Sequence, residues 1–175
     1  MKPFAAAAAI LMLGAVSASA QSVGEKTGIN TALGIAPKTE DFVKQAAMSD
    51  MFEIRSSELA QQKAATDDAR KFAAQMAADH GKTSSELKTL APDKSILPTA
   101  LDASHQAKLD KLKSLQGDTF TMEYNSIQLS AHKDAVDLFE RYAKGGENQQ
   151  IKDWAGRTLP TLKHHLEMAQ ALNKK

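Results

Sequence analysis

Residues 39–90 read TEDFVKQAAMSDMFEIRSSELAQQKAATDDARKFAAQMAADHGKTSSELKTL. Thr39 followed by Glu40 and Asp41 is a helix start: a hydroxyl suited to an N-cap, then carboxylates where the helix dipole favours negative charge. Thr66 followed by Asp67 and Asp68 repeats that signal. The stretch therefore predicts one helix from Thr39 to about Ala64 and a second from Thr66 to about Leu90. With only a residue or two between them, the two helices must be antiparallel neighbours.

Working outward, Ala91-Pro92 stops the second helix, and Leu97-Pro98 lies in a connecting stretch. A shorter amphipathic segment follows from Asp102 to Leu115, with Leu101, Leu109, Leu112 and Leu115 on its apolar side, and Gly117 breaks it. A third long helix is expected from about Asp118 to Lys144, ended by Gly145-Gly146. A fourth runs from Glu147 to about Asn173, with Pro160 inside it and a kink expected near Gly156. The fold class is all-α: a ferritin-like four-helix bundle of two antiparallel hairpins, joined by a crossover that contains a short helix.

Ahead of the bundle, Lys2, the apolar run from Phe4 to Val16 and Ala18-Ser19-Ala20 have the three parts of a secretory signal, so residues 1–20 are read as a signal peptide. That run is shorter than the roughly 20 residues that cross a bilayer, and no later segment is continuously apolar, so no transmembrane span is expected in the mature chain. Residues 21–38, with Gly24, Gly28, Gly34 and Pro37, read as a flexible leader, and 39–175 as the bundle domain. The expected location is the periplasm, with outer-membrane association as an extension of it.

Cleavage removes Lys2, one of 22 basic residues, and leaves the remainder balanced against 21 acidic ones. Charges of both signs alternate along each helix, with no basic face to neutralise phosphates, so nucleic acid is not an expected partner. An envelope protein is the partner class that remains, and the oligomeric state is left open. The chain has no cysteine, which removes disulfides and thiolate ligands from consideration in an exported protein. Any metal site must use His, Asp or Glu.

Four such residues stand in the middle of the four long helices. A rotation of about 100° per residue puts Glu53 with Phe42, Ala46, Ser57 and Ala60, and His80 with Ala69, Ala73, Met76 and Leu87. His132 shares a face with Gln128, Val136, Phe139 and Ala143, and His165 with Trp154, Leu162, Ala169 and Leu172. His164 turns toward Arg157 and solvent, and His105, in the crossover, is expected to be exposed. Counted from the tight turns at 1.5 Å per residue, Glu53, His80 and His132 share a layer, while His165 falls roughly 9 Å from it.

Two readings of the layer stay open. One is a site for a divalent transition metal (Zn, Fe, Mn or Cu) held by Glu53, His80, His132 and His165. The other is a buried polar network that pairs Glu53 with a protonated His80 or His132, with Asp50, Ser57, Tyr124 and Gln128 completing it. Met48, Met51, Met76 and Met168 are read as gap-filling core residues rather than copper ligands.

The run Asp41-Phe42-Val43 through Ala47, Met51-Phe52-Glu53-Ile54, Ser57-Glu58-Leu59-Ala60, Phe72-Ala73 and Met76 through Asp79-His80 resembles the exported bacterial family numbered 4142 among domains of unknown function. Tyr124, Gln128, His132, Phe139, Leu159-Pro160, Leu162 and His165-Leu166 extend the resemblance through the second half. It implies a ferritin-like fold and an outer-membrane or periplasmic protein, without a biochemical role. The Glu-x-x-His pair of di-iron bundles is missing, since Ala77 and Leu162 stand three before His80 and His165.

No nucleophile elbow, phosphate loop or zinc-protease motif is present. The leading reading is a non-enzymatic envelope protein that binds a metal at the Glu/His cluster. A divergent metal-dependent oxidoreductase using the same pocket and a metal-free, stress-related envelope adaptor are the competing readings.

Overall fold

The computed structural model describes residues 28–174, so the expected signal peptide and the first part of the expected leader lie outside the described residues. Among the described residues the chain forms six α-helices and no strand: α1 Ile29–Ala32, α2 Thr39–Lys63, α3 Asp67–Leu90, α4 Ala103–Ser114, α5 Gly117–Gly145 and α6 Gln149–Leu172. A single 3-10 turn, Lys94–Ile96, lies in the connection between α3 and α4. No helix among the described residues is long and apolar enough to cross a membrane.

The caps explain the boundaries. The Thr66 hydroxyl accepts the Ala69 N–H at the start of α3, Asp102 accepts from His105 at α4, and Asn148 accepts from Ile151 at α6. At α2 the expected Thr39 cap is replaced: Lys38 occupies the cap position without a side-chain bond, and Thr39 is the first helical residue. Its N–H donates instead to Glu147 Oε1 at 3.1 Å, and its hydroxyl bonds Tyr142 Oη at 2.7 Å. A carboxylate from the turn between α5 and α6 therefore does the capping, and those backbone and hydroxyl bonds hold the Glu147 carboxyl below its ordinary range.

Helix α4 ends at Ser114, and Gly117, at φ 56, takes the left-handed turn into α5 that a side chain would resist. At the far end of α5, a Cβ on Gly146 would lie 2.5 Å from the Tyr142 ring, so this turn needs glycine for space. Helix α6 continues through Pro160, whose ring is exposed.

Helix α2 packs along α3 and α5 along α6, with further contacts of α2 on α5 and of α3 on α6, while α4 lies mainly on α2. Leu109 and Leu112 are the buried residues of α4, as its apolar side predicts. The described part of the leader is a surface segment with Ile29, Leu33 and Ile35 exposed, and Arg141 Nη1 donates to the Ile35 carbonyl at 2.8 Å.

The apolar core is in two pieces. One gathers Phe42, Val43, Leu87, Phe139, Tyr142, Ile151, Trp154 and Leu162. The other gathers Ala60, Phe72, Ala73, Met76, Leu112, Phe120, Tyr124 and Ala169. The first is dense in aromatic rings: Phe42 stacks on Tyr142 with centroids 4.0 Å apart and meets Phe139 edge-on at 5.0 Å. Each such ring contributes about 1.5–3 kcal/mol by burial. Between the two pieces each long helix buries polar residues: Asp50, Glu53, Ser56 and Ser57 on α2, where Phe52 is the one buried apolar side chain among them, His80 on α3, Gln128 and His132 on α5, and His165 on α6.

Candidate metal site

His80, His132 and His165 meet in that polar layer. Their ring centroids are 5.7 Å (His80 to His132), 5.6 Å (His80 to His165) and 5.5 Å (His132 to His165) apart. One ring nitrogen from each lies within 4.8 Å of those of the other two. The 9 Å offset expected for His165 is thus corrected. Asn148 caps α6, which begins only at Gln149, so His165 stands fewer helical residues from the turn than a count from Gly146 assumes. Side chains also lean toward the N-terminus of their own helix, which tips His165 toward the turn and His132 away from it.

Each ring is held by one outer acceptor. His80 Nδ1–H donates to Asp50 Oδ1 at 2.8 Å, His132 Nδ1–H to the Gln128 carbonyl at 2.9 Å, and His165 Nε2–H to Asp79 Oδ2 at 2.9 Å. Thr83 steadies the first contact by donating its hydroxyl to the same Asp50 oxygen at 3.0 Å. These bonds set the neutral tautomers, and the lone pair of each neutral ring falls on His80 Nε2, His132 Nε2 and His165 Nδ1. Those three nitrogens are buried and have no hydrogen-bond partner.

Glu53 is 1% exposed, and neither of its carboxylate oxygens has a hydrogen-bond partner. It lies in the layer but outside the group formed by the three imidazoles. The pairing of Glu53 with His80 or His132 in the network reading is therefore not formed; Asp50 takes His80 instead. Ser57 and Tyr124 bond each other at 3.0 Å, and the Gln128 side-chain amide has no partner. Asp50 Oδ2 is also unpartnered, so apart from Asn125 Oδ1 every unpartnered buried side-chain atom among the described residues belongs to this layer. Leaving such an atom unbonded costs about 1–3 kcal/mol, so several in one place call for a further partner, an ordered water or an ion.

Electrostatics follow from burial and the three carboxyls. Burial pushes the His165 pKa down to about 4, against the pull of Asp79. Burial also lowers His132, only partly offset by Glu53. At His80 burial lowers, but the Asp50 hydrogen bond with the charges of Glu53, Asp50 and Asp79 outweighs it, and the net direction is up. Burial raises Asp50 despite His80, and raises Tyr124 well above its usual value with Glu53 adding to it.

The donor set fits a transition metal. Nitrogens around one tetrahedral ion stand roughly 3.3 Å apart for metal–nitrogen distances of about 2.0–2.1 Å, so modest ring rotations bring the three imidazoles to ligating distance. A carboxylate or carbonyl behind each ligating imidazole is the usual outer support of a metal-bound histidine. Helix periodicity alone assigns no role to Asp79 or Thr83; the signal for Asp79 is its place one residue before His80, turned about 100° toward α6.

The remaining histidines divide. His164 is exposed, as expected. His105 is corrected to half-buried: it packs on the Phe52 ring at 5.4 Å between centroids and donates from Nδ1 to Asp102. Of the methionines, Met76 is buried while Met48, Met51 and Met168 are half-buried.

Among curated protein sequences no match is found. Among solved structures the chain is similar to CopM in the Cu(II)-bound form, with 18% identity over 80% of this chain and 98% of that one, at a TM-score of 0.67. At that identity the likeness is one of fold. The profile of the family described as "Domain of unknown function (DUF4142)" matches residues 24–172, nearly the whole chain, and the chain belongs to that family.

Proposed function

We propose that this chain is an exported metal-binding bundle of the cell envelope, with His80, His132 and His165 as ligands and Glu53 as the carboxylate that completes or neutralises the site. One observation carries the reading: three buried imidazoles, each anchored by an outer acceptor, keep their second nitrogens unpartnered in one layer. The metal-free adaptor leaves those atoms unexplained.

Zn, Fe, Mn and Cu all suit nitrogen and carboxylate donors. Copper gains weight from CopM, a protein of similar fold known in a Cu(II)-bound form. Without sulfur in the donor set, Cu(II) is the better match than Cu(I). The bundle is read as ferritin-like, two antiparallel hairpins and a crossover, with one metal in place of a di-iron pair. Export rests on residues 1–20, and the periplasm is the proposed location.

When bound, the ion supplies Lewis acidity or one-electron chemistry. The residues of the chain do the rest. Asp50, Asp79 and the Gln128 carbonyl hold the rings and their tautomers, and the apolar clusters on either side exclude bulk water.

The test is metal content after equilibration with each candidate ion and gel filtration. About one equivalent is expected in wild type, and well under half in His132→Ala or His165→Ala at unchanged helical content. No retained metal, or retention indifferent to both substitutions, sinks the reading.

A further inference from the structure

Three contacts fix how α2 and α5 face each other. Thr39 Oγ1 meets Tyr142 Oη at 2.7 Å, Phe42 meets Phe139 edge-on at 5.0 Å between centroids, and Ser57 Oγ meets Tyr124 Oη at 3.0 Å. Each step forward along α2 is matched by an equal step back along α5, so the two helices run antiparallel in one unbroken register. One turn before Ser57 stands Glu53, and one turn after Tyr124 stands Gln128. Residues four apart share a helix face, so this register sets Glu53 opposite Gln128.

The two are chemically complementary, a carboxylate that accepts and an amide that both donates and accepts. Both are enclosed, at 1% and 0% exposed, yet neither bonds the other: both Glu53 oxygens and both Gln128 amide atoms are without a partner. The facing groups are thus held farther apart than a hydrogen bond. They adjoin the imidazole layer. His132, with its unpartnered Nε2, stands one further turn along α5 on the face of Gln128, and the Glu53 charge is felt at both His80 and His132.

We infer that the fourth ligand of the ion is a water molecule seated between Glu53 and Gln128, donating one hydrogen bond to a Glu53 oxygen and the other to Gln128 Oε1. The inference rests on the metal reading above and assigns Glu53 to the water rather than to the ion. Direct ligation needs an oxygen about 2.0–2.2 Å from the metal, whereas Glu53 stands outside the group formed by the three ring nitrogens. A bound water reaches an acceptor about 2.7 Å farther out. Buried water is held by about two to four polar partners, and here it has the ion, the carboxylate and the amide. Three imidazoles and a water make a site of the exchangeable kind, not the closed kind in which protein supplies every ligand. Gln128 is then a positioning residue.

The probe is Cu(II), loaded stoichiometrically and examined by electron-nuclear double resonance in oxygen-17-enriched water. Wild type should show a coupling from a copper-bound water oxygen and couplings from its exchangeable protons. Gln128→Met, similar in volume, should keep its helical content and its copper, bind the ion about tenfold more weakly, and shift one of the proton couplings. Glu53→Ala should keep the oxygen coupling; a ligating Glu53 would instead give none in wild type and a new one in the variant. Copper bound with no oxygen-17 coupling in wild type overturns the inference and leaves the metal site standing. So does a Gln128→Met protein whose affinity and proton couplings match wild type, or one that keeps its fold but holds no copper, since an outer partner weakens binding without abolishing it. Should Gln128→Met not fold, Gln128→Leu is read in the same way. Failure of wild type to hold copper or any other candidate ion overturns both readings, and metal analysis beforehand tells these cases apart.

Discussion

Asp79 on α3 fixes the ring of His165 on α6: its Oδ2 accepts the Nε2–H at 2.9 Å and leaves Nδ1 as the basic nitrogen. The contact joins α3 to α6 at the depth of the polar layer, and it gives the outermost of the three imidazole supports, since the Asp79 side chain is 36% exposed. Asp79→Ala should weaken metal affinity by about 10–100-fold, the usual range for an outer partner of a metal-bound histidine. In metal-free protein the same change takes the acceptor from a buried His165 Nε2–H and should cost about 1–3 kcal/mol. Competition against a chromophoric chelator, paired with denaturant melts, separates the two effects.

Glu53 is expected to trade stability for binding. In metal-free protein Glu53→Met removes two buried oxygens that have no partner and should stabilise the fold by about 1–3 kcal/mol. In metal-loaded protein the same change should lower affinity. Urea unfolding with and without chelator reads both arms, and a metal-free variant no more stable than wild type would count against a role for Glu53 in binding.

Metal-free stability should peak near a pH of about 6.5, the ordinary histidine pKa. Below that value the histidines of the unfolded chain take up protons, while folded His132 and His165 resist, the latter down to about 4. The unfolded state then binds more protons, so stability falls from about pH 6.5 toward about pH 5. Asp50, raised by burial, blunts that acid limb by taking a proton in the folded state. His80 acts in the opposite sense: its raised pKa gives stability that is fully present below about 6.5 and lost as pH rises through the folded value. Denaturant midpoints in chelator at about pH 5, 6.5 and 8 test this, and a monotonic profile would exclude it.

Thr39→Val keeps volume but removes the hydroxyl that bonds Tyr142 and Glu147. It leaves the Tyr142 hydroxyl, in a ring that is 0% exposed, without that partner. A loss of about 1–2 kcal/mol is expected, or a Tm lower by about 2–8 °C for a domain of this size. A shift under about 1 °C would show that the Glu147 cap acts through the backbone bond alone.

Helix ends and helix faces are legible in the sequence because both are local. Thr66, Gly117 and Gly145-Gly146 mark ends through their own chemistry, and rotation by about 100° per residue turns Glu53, His80, His132 and His165 inward because one buried stripe per helix fixes azimuth. Height is harder to read. His165 reaches the layer only once the turn residues and the lean of opposed side chains are allowed for, and neither is a property of one helix. Partner choice is harder again: Asp50 taking His80, Asp79 taking His165 and Glu147 capping α2 all depend on which helices are neighbours. His105 reads as exposed because the crossover path over Phe52 has no local signature.

The two apolar clusters that flank the polar layer give the bundle a seam across its middle. Each end can hold itself together through its own packed side chains, while the seam in metal-free protein is bridged by helix backbone, the histidine contacts, the Ser57–Tyr124 bond and the packing of Phe52 on His105. An ion ligated there would tie α3, α5 and α6 at one point and make the two ends a single cooperative unit. Occupancy would then govern how many steps the chain takes to unfold: amides on both sides of the seam should exchange independently in chelator and together once metal is bound.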